Sequence, residues 1–222
     1  MFTTLDIIRI YGKDLLQGLQ VTLLLCLIIW PVGLIGGSLL GFLGAKLKLT
    51  IGIPSKAISV MLSGVPILIF LFWAHYPLQM MLGVVIDPFI TAATALSIIN
   101  LFLVADLVRG AIIDFPLQYI WAAKVCGLSS RQTALKIQSP IILRQILPGL
   151  LIIQVTMLQA TLFSSLISVD EIFRVAQRIN SQIYRPIQIY TALAVFFMAV
   201  CLPMYGAAYW LRMRFTRDLS ES

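Results

Sequence analysis

Histidine occurs once in the chain and cysteine three times. His75 has no second imidazole to pair with, and Cys26, Cys126 and Cys201 lie far apart, so neither a metal-ligand spacing nor a disulfide framework is written in the sequence. The three thiols are expected to be free and packed. Acidic residues are also few, nine Asp and Glu in total. No set of nucleophile, base and acid can be assembled from them, and no "GxxxxGK[ST]" phosphate loop is present. The expectation is no catalytic residues, no metal and no cofactor bound by this chain. Charge of either sign is scarce, at 11% of residues, where a soluble domain carries about 25%.

What takes the place of charge is apolar. Hydrophobic residues make up 60% of the chain and the mean hydropathy is +0.98, the composition of an integral membrane protein. The apolar residues fall in five blocks, at about 15–45, 57–73, 89–108, 149–169 and 187–211. A helix needs roughly 20 residues to cross a hydrocarbon layer of about 30 Å. The blocks are continuously apolar and do not alternate, which excludes barrel strands and predicts helices that satisfy their own backbone. The fold class read from this pattern is an all-α integral membrane protein, a single domain over 1–222 with five transmembrane helices. The first block is too long, and starts too late, for a cleaved signal peptide, and is read as a retained, tilted span.

Orientation follows from the cations, because short loops rich in Lys and Arg stay in the cytoplasm. Of the sixteen Lys and Arg residues, only Arg9, Lys13, Arg174, Arg178 and Arg185 fall on one side of a five-span layout. The other side is then cytoplasmic. That places the N-terminus outside, and the C-terminal "RMRFTR" and the segment of about 111–148 inside. The net charge of +7 is thereby mostly topology. Its cations border spans and form no stripe interleaved with stacking aromatics, so membrane lipid is the expected partner and nucleic acid is not.

The least apolar long stretch is "WAAKVCGLSSRQTALKIQSPIILRQILPGL", Trp121 to Leu150. Leu117 to Cys126 can form a short helix that Gly127 ends. Ser129 with Gln132 three residues on is a capping-box pattern, predicting a second helix from Ser130 until Pro140 bends the chain. Pro148 and Gly149 then mark the start of the fourth span. Ile120, Trp121 and Val125, with Ala134, Ile137 and Ile141, form an apolar surface that something must cover. An amphipathic element on the bilayer and a hairpin fitted into a soluble partner by an aromatic anchor both meet that need, and the residues alone leave the two open.

This stretch resembles the cytoplasmic Glu-Ala-Ala loop (EAA loop) of ATP-binding cassette importer permeases, with Ala122, Ala123 and Gly127 at the matching places and Pro140 and Pro148 as in the polar amino acid branch (the histidine, glutamine and arginine type). "LLQGLQVTL" (Leu15 to Leu23), "SGVPILIFLF" (Ser63 to Phe72), "ADLVRGAI" (Ala105 to Ile112) and "EIFRVAQ" (Glu171 to Gln177) are similar to that branch's other segments, in the same order along nearly the whole chain. The resemblance implies the type I importer permease fold, and an ATPase-docking coupling helix carried by Tyr119, Ile120, Trp121, Ala122, Ala123, Gly127 and Leu128. It implies ABC ATPase subunits as partners, holding the ATP and Mg, together with a second permease and an extracytoplasmic solute-binding protein. The setting it implies is the bacterial inner membrane. Two departures stand out: Trp121 takes the place of the family's Glu, and Tyr119 that of a Gln. The expectation is that docking leans on aromatic burial, and that a different second permease carries the regular loop.

Polar residues within the spans cost free energy and often have a task. Gln154, Thr161, Ser165 and Ser168 recur at helical spacing on the fourth block, with Gln159 off to one side. They are candidates for lining a translocation path, with interhelical packing as the alternative. The family's Lys-Asp-Thr-Ser-Leu segment corresponds here to Gln159, Ala160, Thr161, Leu162 and Phe163, which implies an uncharged half of the path. Asp106 and Arg109, at i,i+3, are read as a structural ion pair, and His75, beside Trp73 and Tyr76, as part of an interfacial belt and not a ligand. The segments Ala74 to Pro88 and Asp170 to Pro186 are expected to face outward as the platform for a binding protein. A secondary transporter or channel predicts a coupling-ion site and gives the capped hairpin no task; a non-transporting scaffold accounts for the hairpin alone.

Overall fold

A computed structural model describes residues 4–216. Arg217, the last residue of "RMRFTR", lies outside the described residues. The regular elements among them are helical. α1 (Thr4–Pro31) passes through a π-turn at Val32–Gly37 into α2 (Ser38–Lys46). A second π-turn, Lys48–Gly52, reverses the chain into α3 (Ile53–Gly64). α4 (Ile67–His75) and α5 (Pro77–Leu82) lead to α6 (Pro88–Ile113), then α7 (Leu117–Val125) and α8 (Ser130–Thr133). A third π-turn, Ala134–Gln138, opens α9 (Ser139–Ala160), which tightens into a 3-10 turn at Thr161–Ile167. α10 (Ile172–Ile183) and α11 (Pro186–Thr216) complete the chain.

Among the described residues, four helical stretches are long and apolar enough to cross a membrane: Arg9–Lys46, Pro88–Ile113, Ser130–Ile167 and Pro186–Phe215. The second block is not one straight helix, and it supplies the fifth span only when its two segments are taken together. It is a pair of helical segments, Lys48–Gly64 and Ile67–Leu82, bent by 99° at the break. Val65 is extended there, at φ −99° and ψ 126°, because the ring of Pro66 clashes with a helical residue before it. Hydropathy does not register this break, since Val and Pro interrupt the hydrogen-bond ladder without interrupting the apolar run.

The segment 111–148 also differs from the expected loop. Ser130 to Ile167 is one 38-residue helix with no break at Pro140 and no separate start at Gly149. Ser139 N–H reaches back five residues to the Ala134 carbonyl. The wider π-turn offsets the ladder just before Pro140, which then sits in the first turn of α9, where a missing N–H costs least. At about 1.5 Å per residue the whole stretch is roughly 57 Å long, well beyond a hydrocarbon layer of about 30 Å. The stretch is thus longer than one crossing requires, and its Ser130 end continues the fourth apolar block without a break.

Glycine brings the first and third spans together. A Cβ on Gly37 would lie 2.6 Å from the Leu101 carbonyl oxygen and 2.7 Å from Val104 Cβ, and one on Gly41 would lie 2.6 Å from the Ala105 carbonyl oxygen. A Cβ on Gly33 would overlap the Asn100 amide. This small-residue stripe at i, i+4, i+8 lets two helix backbones touch, the packing that substitutes for the hydrophobic effect inside lipid. Beside it, Leu25, Ile29, Leu96 and Met157 are fully buried in the main apolar cluster. By contrast α11 leaves Val195, Met198, Leu202 and Trp210 more than half exposed.

Candidate functional site: a capped hairpin and an apolar groove

α7 and α8 form a hairpin whose joints are fixed by local chemistry. Pro116 precedes α7, which ends in a Schellman motif: Gly127 N–H donates to the Lys124 carbonyl and Leu128 N–H to that of Ala123, both at 3.0 Å. Gly127 takes φ +73°, a backbone state that a side chain would strain. Two residues later Ser129 Oγ accepts from Gln132 N–H at 3.3 Å, and Gln132 Oε1 accepts from Ser129 N–H at 2.9 Å, a complete capping box. Helix ends that normally fray are thus closed on both sides of a four-residue joint.

The hairpin has an inner and an outer face. Ala123 is buried, Phe115 is buried with its ring 5.8 Å from that of Tyr119, and Tyr119, Ile120 and Leu128 are half-buried. Outward, Leu117 is 58% exposed, Trp121 62% and Val125 89%. These three lie at i, i+4 and i+8, one apolar stripe along α7. The sequence pattern groups Ile120 with Trp121 and Val125; the structure puts Leu117 in the stripe instead, and Ile120 is half-buried. Ala122, between them, is open. Cys126 caps the helix and is exposed, a correction to the expectation that all three thiols are packed; Cys26 and Cys201 are buried.

The polar residues of the fourth span divide into two groups. Gln154 is 4% exposed and faces α6, where Asn100 Nδ2 donates to Gln154 Oε1 at 3.0 Å and Gln154 Nε2 returns a bond to Asn100 Oδ1 at 3.3 Å. Asn100 also donates to the Ile29 carbonyl at 2.9 Å, so two side chains tie three spans together. Thr161 and Ser165 are buried and bond back to the Leu158 and Leu162 carbonyls. Ser168 is exposed and turns the chain at φ 78°. Gln154, Thr161 and Ser165 therefore do not face open space within this chain. Gln159 does. It lines a groove of about 780 Å3, together with Thr156, Phe163, Phe173, Tyr190 and Phe197. Aromatic and aliphatic side chains make up most of these walls, with one side-chain amide, and no Asp, Glu, Lys or Arg is among the lining residues.

Elsewhere, Arg109 Nη2 donates to Asp106 Oδ1 at 2.6 Å. His75 joins Gln79 and Thr91 in a polar knot: Gln79 Nε2 donates to Thr91 Oγ1 at 2.9 Å and lies 3.2 Å from His75 Nδ1, while Ile86 N–H donates to Gln79 Oε1 at 2.8 Å. On the Asp170 to Pro186 segment, Asp170 takes up much of the basic character, lying 3.2 Å from Arg174 and 3.6 Å from Arg178. Glu171 is fully buried at the N-terminus of α10, accepting from Phe173 N–H at 2.9 Å and Arg174 N–H at 2.8 Å. Burial pushes its carboxyl up to about 7, and those two N–H donors and the Arg174 charge pull the other way. Sequence reading missed Asn100 and Glu171 as organising residues; an amide inside an apolar block and an acid beside a span end were the available signals.

Residues 33–217 match the family model described as the binding-protein-dependent transport system inner membrane component. Among curated relatives, the arginine ABC transporter permease protein ArtQ of Haemophilus influenzae is 30% identical over 173 residues, 75% of this chain and 78% of that protein. The histidine/lysine/arginine/ornithine transport system permease protein HisQ of Salmonella typhimurium is 26% identical over 223 residues, 93% of this chain and 96% of that protein. Among solved structures, a chain from the crystal structure of an amino acid ABC transporter with histidines superposes with a TM-score of 0.83 at 22% identity, covering 96% of this chain and 99% of that one.

Proposed function

We propose that this chain, which belongs to the family of binding-protein-dependent transport system inner membrane components, is the permease subunit of an ATP-binding cassette importer for an amino acid or a related small solute. The observation that carries the reading is α7. A helix closed at its C-terminus by a Schellman motif and followed at once by the capping box that starts α8, with Leu117, Trp121 and Val125 open along one side, is built to press into another protein. The occupant is an ATPase subunit that binds ATP and Mg, and Tyr119 through Leu128 form the coupling element. The extension of the fourth span from Ser130 makes that element a lever. Movement of α7 by the closing ATPase pair passes through an unbroken helix to Gln154 and its partner Asn100, and through it to α6 and α1.

The groove around Gln159 supports a neutral half-path. Its walls select by shape and by one amide, so charge selection belongs to a second, different permease or to the binding protein. α5 and α10 form the outer platform, the N-terminus is outside and the cation-rich side is in the cytoplasm. The location is the bacterial inner membrane.

Cys126 supplies the test of orientation, because Cys26 and Cys201 are buried. A membrane-impermeant maleimide is expected to label the chain in inside-out vesicles stripped of the ATPase subunit and not in intact spheroplasts. Reconstitution of the purified native complex with its binding protein tests the activity. ATP-dependent uptake of a radiolabelled amino acid that falls several-fold with Gln159→Ala supports the reading; uptake driven by an ion gradient without ATP makes it a secondary transporter instead.

A further inference from the structure

A second recess lies at the end of the bundle from which α7 emerges. It has a volume of about 540 Å3 and is lined by Lys48, Lys56 and Arg109 together with Leu49, Ile53 and Ile113. We propose that this recess holds the headgroup of an anionic phospholipid, with the glycerol and upper acyl chain against its apolar wall.

The cations are held by structure and not merely near one another in sequence. Lys48 opens the π-turn that reverses the chain between α2 and α3, and Ile51 and Gly52 both donate to the Leu47 carbonyl at 3.0 Å. Gly44 and Gly52 touch backbone to backbone there, since a Cβ on Gly52 would overlap the Gly44 carbonyl. This contact fixes where Lys48 and Lys56 leave the helices. Arg109 is 15% exposed and oriented by Asp106, which neutralises one charge. Among the described residues, neither Lys48 nor Lys56 has an ion-pair partner. Three cations against one carboxylate leave the recess positive.

The apolar wall identifies the kind of anion. Leu49 is 80% exposed and Ile53 60%, beside the lysines. A soluble phosphate would pair with the cations and leave both leucine and isoleucine wet. An amphiphile satisfies both parts at once, and basic pockets between spans are where anionic headgroups bind. The position adds a consequence. Ile113 is the last residue of α6 and lies four residues before Leu117 opens α7, so lipid in the recess braces the joint from which the coupling element hangs.

Native mass spectrometry of the delipidated complex tests the proposal. Titration with phosphatidylglycerol is expected to give one tightly held lipid per copy of this chain, and phosphatidylcholine none. Lys48→Gln with Lys56→Gln should weaken it roughly 30-fold, from about 1 kcal/mol for each lysine and the conversion of 1.4 kcal/mol per tenfold. Arg212→Gln with Arg214→Gln, which remove cations outside the recess, should leave it in place, and Lys48→Arg with Lys56→Arg should retain it. Equal loss in both Gln pairs would reduce the effect to general charge and overturn the site. Displacement of the lipid by millimolar glycerol 3-phosphate would overturn the lipid assignment in favour of a soluble phosphate. The readout is binding, so it stands or fails independently of transport.

Discussion

Replacing Trp121 by Ala tests the docking surface where the energy should be concentrated. The side chain is 62% exposed on a helix whose C-terminal end is closed by a Schellman motif. A tryptophan can bury up to about 250 Å2, so burying the open part in a groove removes roughly 150 Å2 from water. At about 25 cal/mol per Å2 this is roughly 4 kcal/mol as an upper value, and buried aromatic anchors at interfaces typically cost about 2 to 4 kcal/mol when truncated. The expected loss in affinity for the ATPase is therefore roughly 30- to 700-fold. The substitution should not unfold the permease, because Trp121 makes little of the core. The assay is a titration of labelled ATPase subunit onto the permease in nanodiscs, with Trp210→Ala on α11 as the control, an exposed aromatic far along the chain. A change under threefold for Trp121→Ala, or an equal change for Trp210→Ala, would refute the aromatic docking argument.

Two further outcomes follow from buried polar groups. Asn100→Leu should destabilise the bundle by about 1 to 3 kcal/mol, because Gln154 and the Ile29 carbonyl lose their donor while still buried; adding Gln154→Leu should recover part of that loss, measured as a double-mutant cycle by thermal unfolding in detergent. Additive losses would mean that the two amides do not act as a pair. Glu171 gives a pH dependence. Its carboxyl is raised from the usual 4.5 to about 7, so between those values the folded chain holds a proton that the unfolded chain has released. Stability then falls as pH rises from about 4.5 to about 7 and levels off above, by an amount on the order of 3 kcal/mol. Glu171→Gln should flatten this slope in unfolding midpoints measured from pH 5 to 8, and an unchanged slope would remove Glu171 from the explanation.

The parts of the hairpin that sequence exposes are those with local causes. Gly127 and the Ser129–Gln132 pair specify their caps within a few residues, so the joint between α7 and α8 is readable without knowing the rest of the molecule. The break at Val65–Pro66 is hidden in an apolar run, and the π-turn at Ala134–Gln138, which lets the helix run on through Pro140, has no signature of its own. Face assignment is non-local too. Gln154 and Gln159 both sit in the fourth span, yet Gln154 meets Asn100, 54 positions away, while Gln159 opens to a groove. Helical spacing identifies which residues share a side and not which side is covered. The switch to 3-10 geometry at Thr161 also changes the spacing on which that grouping was built.

The contact between α7 and an ATPase is the claim on which the mechanism turns, and Cys126 reports on it without an engineered residue. It is exposed at the C-terminal end of the stripe, while the other two thiols are buried. A short thiol-to-amine crosslinker applied to the native complex should join this chain to the ATPase subunit through Cys126, and Cys126→Ser should abolish the product. Free reaction of Cys126 with a soluble maleimide, with no crosslink to the ATPase while that subunit is bound, would contradict the account and return α7 to the membrane surface.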